Sequence, residues 1–385
     1  MHYITNVLLP CPLTNHDSET EWRILVNDSD VIVSIESNTK VSSLLSESWE
    51  GDWLSPMGID LQINGGMGIS FNEILSSDIP KLLNLLDQLW CDGIEAIAPT
   101  IVTCSVDALR ESLLVFREAR SKISSNQCNL LGAHLEGPFI SKEKIGAHSL
   151  NHICSPSLEA LENRIKGFDQ EIALVTLAPE LTNSKEIISK LKSLGIIISL
   201  GHSTADLEIT NKSFDQGVKM LTHTFNAMPD LLHRSPGPIA AAIENGNIYL
   251  GLIADGIHVH PNMMRLLLKL ASGKIVLVSD ALAPYGLQDR EYKWDTRKLF
   301  VKDRSCFLEN GALAGTTLPL LESTCRFAAC TEEPSNAIWS STVSPRQLLE
   351  EGFNLNEFLI GQPLKNLLRW HFNHEELTLK WQKAS

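Results

Sequence analysis

Three short segments of this chain carry side chains that can bind a divalent metal ion, and each follows an apolar run. They are His134-Leu135-Glu136-Gly137-Pro138, Gly201-His202-Ser203 and Thr222-His223-Thr224. Glu136 leaves its apolar run just before a Gly-Pro turn, where a buried carboxylate is costly unless it is paired or bound to a metal. One glutamate and two histidines match the three-ligand pattern of catalytic zinc, which keeps a fourth position open.

A fourth segment, Ser279-Asp280-Ala281, follows the last of the apolar runs. A carboxylate beside a metal suits a general base that takes a proton from metal-bound water. Asp280 could instead be a fourth ligand or a structural hydrogen-bond acceptor. Glu136 alone could cap a helix or form a salt bridge, and a single histidine is more often structural than a ligand. The four residues taken together favour a metal site with a general base.

Eight apolar runs must position these side chains. Continuous rather than alternating apolar sequence indicates strands buried on both faces, as in a parallel sheet. The runs alternate with helical patterns, which predicts a (β/α)8 barrel of the α/β class. In a barrel all strand ends meet at one face, where active sites are built. The runs are Met57–Ile63, Ile94–Val102, Leu130–Leu135, Ile172–Ala178, Gly195–Leu200, Val218–Thr222, Ile248–Ala254 and Ile275–Val278, and the clearest helical patterns are Asp78–Trp90, Ser105–Lys122, Ser184–Leu194, Ala205–Gln216 and Pro261–Leu270.

The two ends of the chain have the alternating pattern of antiparallel strands. Examples are Trp22–Val26 and Val31–Ile35 near the start, and Leu367–Phe372 and Glu376–Trp381 near the end. Neither half could bury a face alone, so we predict one small β-sandwich domain formed by both termini. Residues 1–55 and 349–385 are expected to form this domain, and residues 56–348 the barrel.

Charge and cysteine content exclude several classes of protein. The 32 basic and 46 acidic residues give a net charge of −14, without a basic tract. Nucleic acid and anionic membranes are therefore poor partners. The eight cysteines form no C-x-x-C pair, and the N-terminal residues lack the basic region of a signal peptide. We expect reduced thiols, no membrane span and a cytoplasmic location.

The motifs appear in an order that resembles the N-acetylglucosamine-6-phosphate deacetylases of the amidohydrolase superfamily. The resemblance runs from about residue 56 to 320. It rests on Gly58-Ile59-Asp60, His134-Leu135-Glu136-Gly137-Pro138-Phe139, Gly146-Ala147-His148, Leu177-Ala178-Pro179-Glu180, Gly201-His202-Ser203, His223-Thr224-Phe225-Asn226-Ala227-Met228, Asp255-Gly256-Ile257-His258-Val259, Ser279-Asp280-Ala281 and Leu313-Ala314-Gly315.

The resemblance implies a role for each matching position. Glu136, His202 and His223 would be metal ligands, and Asp280 the catalytic acid–base. The substrate would be contacted near its acetamide or sugar hydroxyls by Ala147 and His148, at its phosphate by Asn226, the Ala227 amide, Arg234 and His258, and at its acetyl end by Leu313, Ala314 and Gly315. The family also suggests a homodimer.

Arg234 is also a candidate on its own terms. It is a lone cation in the Pro/Gly-rich loop Leu232–Gly237, in a strongly acidic chain, and could capture an anion bidentately. A surface salt bridge is the alternative. Ser235 stands where relatives commonly have an acidic residue after the arginine, which leaves the orientation of Arg234 open.

The first barrel strand predicts how many metal ions bind. Many metal-dependent amidohydrolases have His-x-His there, whereas this chain has Gln62-Ile63-Asn64. Neutral amides are poor ligands for transition metals compared with imidazole. We therefore expect one divalent ion per chain, zinc first, with iron, cobalt or manganese as alternatives.

The reaction implied is hydrolysis of the acetamide of N-acetylglucosamine 6-phosphate to acetate and glucosamine 6-phosphate. Two alternatives stay open at this point. One is a deacetylase for another N-acetylhexosamine phosphate, such as the galactosamine epimer. The other is a non-catalytic barrel that serves as a binding protein, against which the intact set of Glu136, His202, His223 and Asp280 argues.

Overall fold

The computed structural model describes residues 1–13, 20–37, 45–295 and 297–385. The N-terminal part forms a four-stranded sheet in the order β3-β2-β1-β4, antiparallel except for the parallel β1–β4 pair. A fifth strand, β5, lies directly before the barrel. The bounds are β1 His2–Val7, β2 Trp22–Val26, β3 Ile32–Ser37, β4 Ser46–Ser48 and β5 Trp53–Pro56.

The next eleven strands contain a barrel of eight parallel strands in the order β6-β9-β11-β12-β13-β14-β15-β16. Strand β10 extends the β9 edge, and β7 and β8 form a short hairpin. The bounds are β6 Gly58–Ile63, β7 Gly65–Gly66, β8 Ile69–Ser70, β9 Ile94–Val102, β10 Asn129–Leu130, β11 Ala133–Glu136, β12 Ile172–Leu177, β13 Ile197–Leu200, β14 Val218–Leu221, β15 Tyr249–Leu252 and β16 Ile275–Leu277.

Backbone hydrogen bonds close the barrel just beyond the ends of its first and last strands. The Asp280 N–H donates to the Gln62 carbonyl at 2.8 Å, and the Asn64 N–H donates to the Ala281 carbonyl at 2.7 Å. The predicted α/β barrel is confirmed, with one local difference. The apolar run Leu130–Leu135 is divided between two strands, β10 and β11. Gly132 lies between them, where a Cβ would be 2.4 Å from the backbone nitrogen of Ala173.

Helices cover the outside of the barrel, and the five predicted from sequence are found within two residues of their expected ends. Polar caps start several of them: the Ser105 hydroxyl accepts from the Ala108 N–H, and the Asp206 carboxylate from the Ile209 N–H. The bounds are α1 Ile79–Cys91, α2 Val106–Arg120, α3 Leu158–Ile165, α4 Ser184–Ser193, α5 Leu207–Gln216, α6 Gly237–Asn245 and α7 Pro261–Ala271.

An antiparallel sheet interrupts the chain between the last barrel strand and the helix that follows it. Its strands are β17 Glu291–Trp294, β18 Arg297–Lys302, β19 Ser305–Leu308 and β20 Leu313–Thr316. We call it the inserted sheet. Leu313–Gly315 was assigned to the site from sequence, but the sheet itself was not predicted, because its first strands are short and largely polar. Four helices follow: α8 Leu320–Thr331, α9 Pro334–Thr342, α10 Ser344–Leu349 and α11 Leu355–Leu359.

The last two strands return to the N-terminal part of the chain. Strands β21 Leu367–Asn373 and β22 Thr378–Lys383 form a three-stranded antiparallel sheet with β5. The buried Trp370 indole donates to Ser55 Oγ at 2.8 Å. Both termini therefore contribute to one small β domain, as predicted, while its residue boundaries stay a prediction.

Two further expectations concern cysteines and membranes. All eight cysteines lie among the described residues and are free thiols. Over the same parts of the chain, no helix combines the length and the apolar character needed to cross a bilayer.

Candidate active site

A cavity at the carboxyl ends of the barrel strands brings together most of the residues selected from sequence. It is open to solvent on one side and carries polar groups on its floor and apolar groups along one wall. Eleven of the thirteen predicted residues line it: Glu136, Ala147, His148, His202, His223, Asn226, Ala227, His258, Asp280, Leu313 and Ala314.

Three buried ligand atoms converge at the bottom of this cavity. Glu136 Oε1 lies 3.1 Å from His202 Nε2 and 3.1 Å from His223 Nε2, and the two imidazole nitrogens are 3.0 Å apart. Ligands bound at about 2.0–2.1 Å to a tetrahedral zinc ion lie about 3.3 Å from one another. The geometry and the donor chemistry of this triad therefore fit one divalent ion.

His148 also approaches this triad, with its Nε2 at 3.2 Å from His202 Nε2 and 3.9 Å from Glu136 Oε1, so that Glu136, His148 and His202 form a second group of possible metal ligands. Hydrogen bonds separate the roles of the two histidines. His148 Nδ1 lies 2.9 Å from Thr103 Oγ1, which can donate or accept, and 3.3 Å from the Thr103 N–H, which can only donate. The N–H contact favours a neutral His148 with its proton on Nε2. His202 Nδ1 lies 2.7 Å from the Lys144 carbonyl, which can only accept, so its proton is on Nδ1. His202 therefore offers a lone pair to a metal, whereas His148 offers a proton to the cavity.

Burial and charge set the ionisation of the ligands. Burial lowers the pKa of His202 to about 4, so its imidazole is neutral. Burial opposes ionisation of Glu136 as well, but its contacts with the imidazoles of His148, His202 and His223 outweigh it and hold the pKa of Glu136 well below its usual range. Burial also opposes ionisation of His223, but its hydrogen bond to Glu136 outweighs it and raises the pKa of His223. Binding of a metal ion by this triad would therefore release the proton of His223.

Asp280 lies beside this triad at the closing seam of the barrel. Its Oδ1 accepts hydrogen bonds from Asn64 Nδ2 at 2.7 Å and from Gln62 Nε2 at 3.3 Å. Burial, with the charge of Glu136 adding to it, raises the pKa of Asp280 to about 7. A carboxyl group with a pKa in this range can both take up and return a proton at neutral pH.

The turns that carry these residues have unusual backbone geometry. His202, His223 and Asp280 have φ values of 48°, 29° and 47°, in the left-handed region that non-glycine residues rarely adopt. Such conformations persist where surrounding structure holds them, and they concentrate at functional sites. At His202 the holding group is Glu180, which accepts hydrogen bonds from Ser203 Oγ and the Thr204 N–H, both at 2.6 Å.

His258 occupies another part of the cavity wall and is fixed by Asp255. Its Nδ1 lies 2.6 Å from Asp255 Oδ2, and Asp255 Oδ1 accepts from the backbone N–H groups of Ile257 and His258, each at 2.8 Å. These hydrogen bonds lower the pKa of Asp255 in spite of its burial. Asp255 thereby fixes the orientation of the His258 ring in the cavity wall.

Two predicted residues do not line the cavity. Gly315 has a φ of 149°, which side chains rarely allow. A Cβ at this position would also lie 2.6 Å from the Asp280 carbonyl oxygen, so there is no room for a side chain. Arg234 is exposed and borders a separate surface depression with Asp206, Glu208 and Asn211. A contact of Arg234 with phosphate therefore stays a prediction.

One wall of the cavity was not predicted from sequence. Trp294 of the inserted sheet lines it and packs with Leu282 and Ala314. Arg297 stacks on the Trp294 ring at 4.5 Å and donates to the Ala147 carbonyl at 2.8 Å. In the sequence, the only sign of this wall was a tryptophan followed three residues later by an arginine. This pair does not follow a predicted barrel strand, so the sequence did not assign it to the site.

Comparisons with known proteins show which proteins this chain resembles. No protein-family model matches the chain. N-acetylglucosamine-6-phosphate deacetylase of Caenorhabditis elegans is 38% identical over 264 residues, which cover 66% of this chain and 63% of that protein. The enzyme of the same name from Bos taurus is 33% identical over 310 residues, covering 77% of this chain and 74% of the bovine one.

Solved structures extend the likeness over the whole chain. N-acetylglucosamine-6-phosphate deacetylase of Thermotoga maritima is 28% identical to this chain and has a TM-score of 0.79. The match covers 99% of this chain and 98% of the Thermotoga protein. A Mycobacterium smegmatis deacetylase variant, solved in complex with N-acetyl-D-glucosamine-6-phosphate, has a TM-score of 0.80 over 100% of this chain and 98% of that one. At 21% identity this match shows the shared fold.

The barrel with a carboxylate and two imidazoles at its strand ends defines an amidohydrolase. The chain belongs to the N-acetylglucosamine-6-phosphate deacetylase family.

Proposed function

We propose that this protein hydrolyses the acetamide of N-acetylglucosamine 6-phosphate, giving glucosamine 6-phosphate and acetate. The observation that carries this proposal is the meeting of the Glu136–His202–His223 triad with Asp280 and His148 in one cavity. The named activity of the relatives supplies the substrate.

The triad would hold one divalent ion, with zinc as the first candidate and iron, cobalt or manganese as alternatives. When bound, the ion supplies Lewis-acid polarisation of a carbonyl and lowers the pKa of water to about 7. All other steps depend on the side chains of the cavity.

Asp280 and His148 would have separate roles: Asp280 would carry a proton from water to nitrogen, and His148 would donate a hydrogen bond to the carbonyl oxygen. Asp280 takes one proton from the attacking water as a C–O bond forms at the acetyl carbon. The Nε2–H of His148 donates to the carbonyl oxygen, which becomes more negative as the carbon turns tetrahedral. A preorganised donor of this kind is typically worth about 3–4 kcal/mol. Asp280 then returns its proton to the nitrogen as the C–N bond breaks, which gives acetic acid and a neutral amine. In water the acid loses its proton and the amine gains one, so the final products are acetate and glucosamine 6-phosphate.

The phosphate end of the substrate would lie against Asn226, the backbone amide of Ala227 and His258, on the wall away from the inserted sheet. Asp255 holds the His258 ring in place there. Arg234 is the cation proposed from sequence. Its substitution by alanine should lower kcat/KM for the phosphorylated sugar about 10–150-fold, because a charge-assisted hydrogen bond contributes about 1.5–3 kcal/mol. Equal losses on phosphorylated and unphosphorylated sugar would remove Arg234 from the phosphate site.

Two narrower matters belong to this proposal. N-acetylgalactosamine 6-phosphate differs by one epimeric hydroxyl, and relative turnover on the two sugars decides between them. We also propose that the protein is a cytoplasmic homodimer, which size-exclusion chromatography with light scattering and cell fractionation would test.

The deciding experiment is acetate release by purified protein of known metal content. N-acetylglucosamine 6-phosphate, its unphosphorylated form and the galactosamine epimer should be compared at equal concentration. The proposal expects hydrolysis of the first with the highest kcat/KM. A protein that holds metal but releases no acetate from any of the three would be a binding protein instead.

A further inference from the structure

Two side-chain amides replace the histidines expected on the first barrel strand, and both contact Asp280. Asn64 Nδ2 lies 2.7 Å and Gln62 Nε2 lies 3.3 Å from the same oxygen, Asp280 Oδ1. Gln62 Nε2 is also 3.2 Å from Glu136 Oε1. Both amides are buried, with exposed fractions of 1% for Gln62 and 5% for Asn64. The two residues thus do more than leave a second metal position without ligands.

The orientation of both amides follows from their surroundings. A carboxylate only accepts hydrogen bonds, so two carboxylates facing one amide require its nitrogen rather than its oxygen. Gln62 meets this requirement between Glu136 and Asp280, and Asn64 meets it beside Asp280. Because both amides donate to Oδ1, the second oxygen of Asp280 is left for proton transfer.

The opposite ends of these amides have no partner among the described residues. Gln62 Oε1 and Asn64 Oδ1 are buried acceptors without a hydrogen bond, and Asn64 lines the cavity. An unpaired buried acceptor destabilises the protein, so a ligand that supplies a hydrogen-bond donor at this place regains that energy. The scissile amide of the substrate carries one N–H. Its nitrogen must lie near Asp280, because it receives a proton from Asp280 as the C–N bond breaks.

We propose that Gln62 and Asn64 form an amide clamp that fixes the Asp280 carboxylate, and that Asn64 Oδ1 accepts the N–H of the substrate's scissile amide. The second part rests on the proposed function. Asn64 would thereby hydrogen-bond to Asp280 through Nδ2 and to the N–H of the substrate's leaving nitrogen through Oδ1. Gln62 is a positioning residue, because it acts through Asp280, whereas Asn64 touches both Asp280 and the substrate.

The kinetic test compares Asn64→Leu and Gln62→Leu with wild type on two substrates. One is N-acetylglucosamine 6-phosphate, and the other is 2-O-acetylglucose 6-phosphate, an ester without an N–H at the scissile bond. Asn64→Leu should lower kcat on the amide about 100-fold with little change in KM, and lower it about tenfold or less on the ester. Asn336→Ala, which removes a buried amide far from the catalytic face, is the matched control and should lower stability but leave the amide-to-ester ratio unchanged.

Each result decides one part of the proposal. Equal losses on amide and ester would overturn the contact between Asn64 Oδ1 and the substrate N–H. A kcat for both leucine variants above about a third of the wild-type value would overturn the clamp. Metal content should stay at the wild-type value, since neither residue is a proposed ligand.

A crystal structure of the metal-loaded protein gives a reading that does not depend on turnover or on how the variants fold. The clamp expects both amide nitrogens within about 3.3 Å of one Asp280 oxygen, and a rotated Asp280 carboxylate in Asn64→Leu. Amide nitrogens turned away from Asp280 would overturn the clamp even in an active enzyme. Absence of acetate release from a wild-type protein with an intact clamp would instead count against the proposed function and the substrate contact.

Discussion

At the scale of single residues, backbone groups help to separate the role we propose for His202, a metal ligand, from the role we propose for His148, a proton donor. An N–H near His148 Nδ1 and a carbonyl at His202 Nδ1 favour opposite tautomers of these imidazoles, although their rings are only 4.3 Å apart. Asp280 is then the one carboxyl group of the cavity that is free to exchange a proton.

Asp280→Asn should lower kcat by at least 100-fold, since general acid–base catalysis typically contributes 10²–10⁴-fold and this residue acts twice. The substitution preserves size, so metal content and the far-ultraviolet circular dichroism spectrum should match the wild type. Steady-state kinetics with metal analysis makes the measurement. A variant that keeps more than about a tenth of wild-type turnover would show that another group moves the proton.

Asp60 predicts a pH dependence of stability. It is a buried carboxyl whose contacts are the N–H groups of Gln62 and Ser279, and burial raises its pKa to about 6. Because this lies above the ordinary value of 3.8, the neutral form is favoured in the fold. The contribution of the neutral Asp60 carboxyl to folding stability is fully present below about pH 4 and is lost as pH rises through about 6. Asp60→Asn should therefore become more stable relative to wild type by about 1 kcal/mol between about pH 5 and pH 8.

Urea unfolding at several pH values measures this difference, and Asp87→Asn on the exposed face of α1 is the control. The control and wild-type curves should run parallel with pH. If the Asp60→Asn curve also runs parallel to wild type, Asp60 is ionised in the folded protein.

At the scale of elements, the inserted sheet completes a cavity that the barrel leaves open. Its residues Trp294 and Ala314 pack with Val102, Ala147 and Leu282, which are neighbours in sequence or register of the proposed metal ligand Glu136, of His148 and of Asp280. Under the proposed function, this apolar wall would lie next to the reacting carbon. The methyl group of the acetamide is the apolar part of the substrate that would fit there.

Trp294→Ala should shift the preference of the enzyme toward longer acyl groups. One extra methylene in a tight apolar pocket is typically discriminated about 10–200-fold, and removing the indole makes room for it. The ratio of kcat/KM for the N-propionyl to the N-acetyl sugar phosphate should rise at least about tenfold. Phe300→Ala, an exposed aromatic on the same sheet, should leave the ratio unchanged. If both variants leave it unchanged, the acyl group lies elsewhere.

At the scale of the whole molecule, the metal should join parts of the barrel that are far apart in sequence. Glu136 ends β11, and His202 and His223 follow β13 and β14. Purified protein should contain about one metal ion per chain, because Gln62 and Asn64 offer a second ion only neutral amides.

Removal of the ion by a chelator should lower the thermal unfolding midpoint, since binding at about 1,000 times Kd contributes about 4 kcal/mol to folding stability. Re-addition of one equivalent should restore both the midpoint and the activity. Asp280→Asn should show the same metal-dependent shift, which separates binding from catalysis. Two tightly held ions per chain would contradict the single-ion site and would make Asp60 or Asp280 a ligand.

Local sequence determined most of the barrel. Buried parallel strands need continuous apolar runs, so strands such as Ile94–Val102 and helices such as α4 could be placed from pattern alone. Polar residues directly after those runs had to meet at one face, which is why Glu136, His202, His223 and Asp280 could be selected together. The terminal strands were also predicted, because alternation is a property of each strand by itself.

Only the tertiary structure decided the contacts between segments that are distant in sequence. The tautomers of His148 and His202, the amide contacts of Gln62 and Asn64 with Asp280, and the position of Trp294 depend on atoms supplied by other strands and loops. The exposed position of Arg234 depends on how its loop folds back on α5. Hydrogen bonds and packing act over a few ångströms in space rather than along the chain. The sequence by itself therefore determined which chemical groups meet at the barrel face, and the fold determined what each of them faces there.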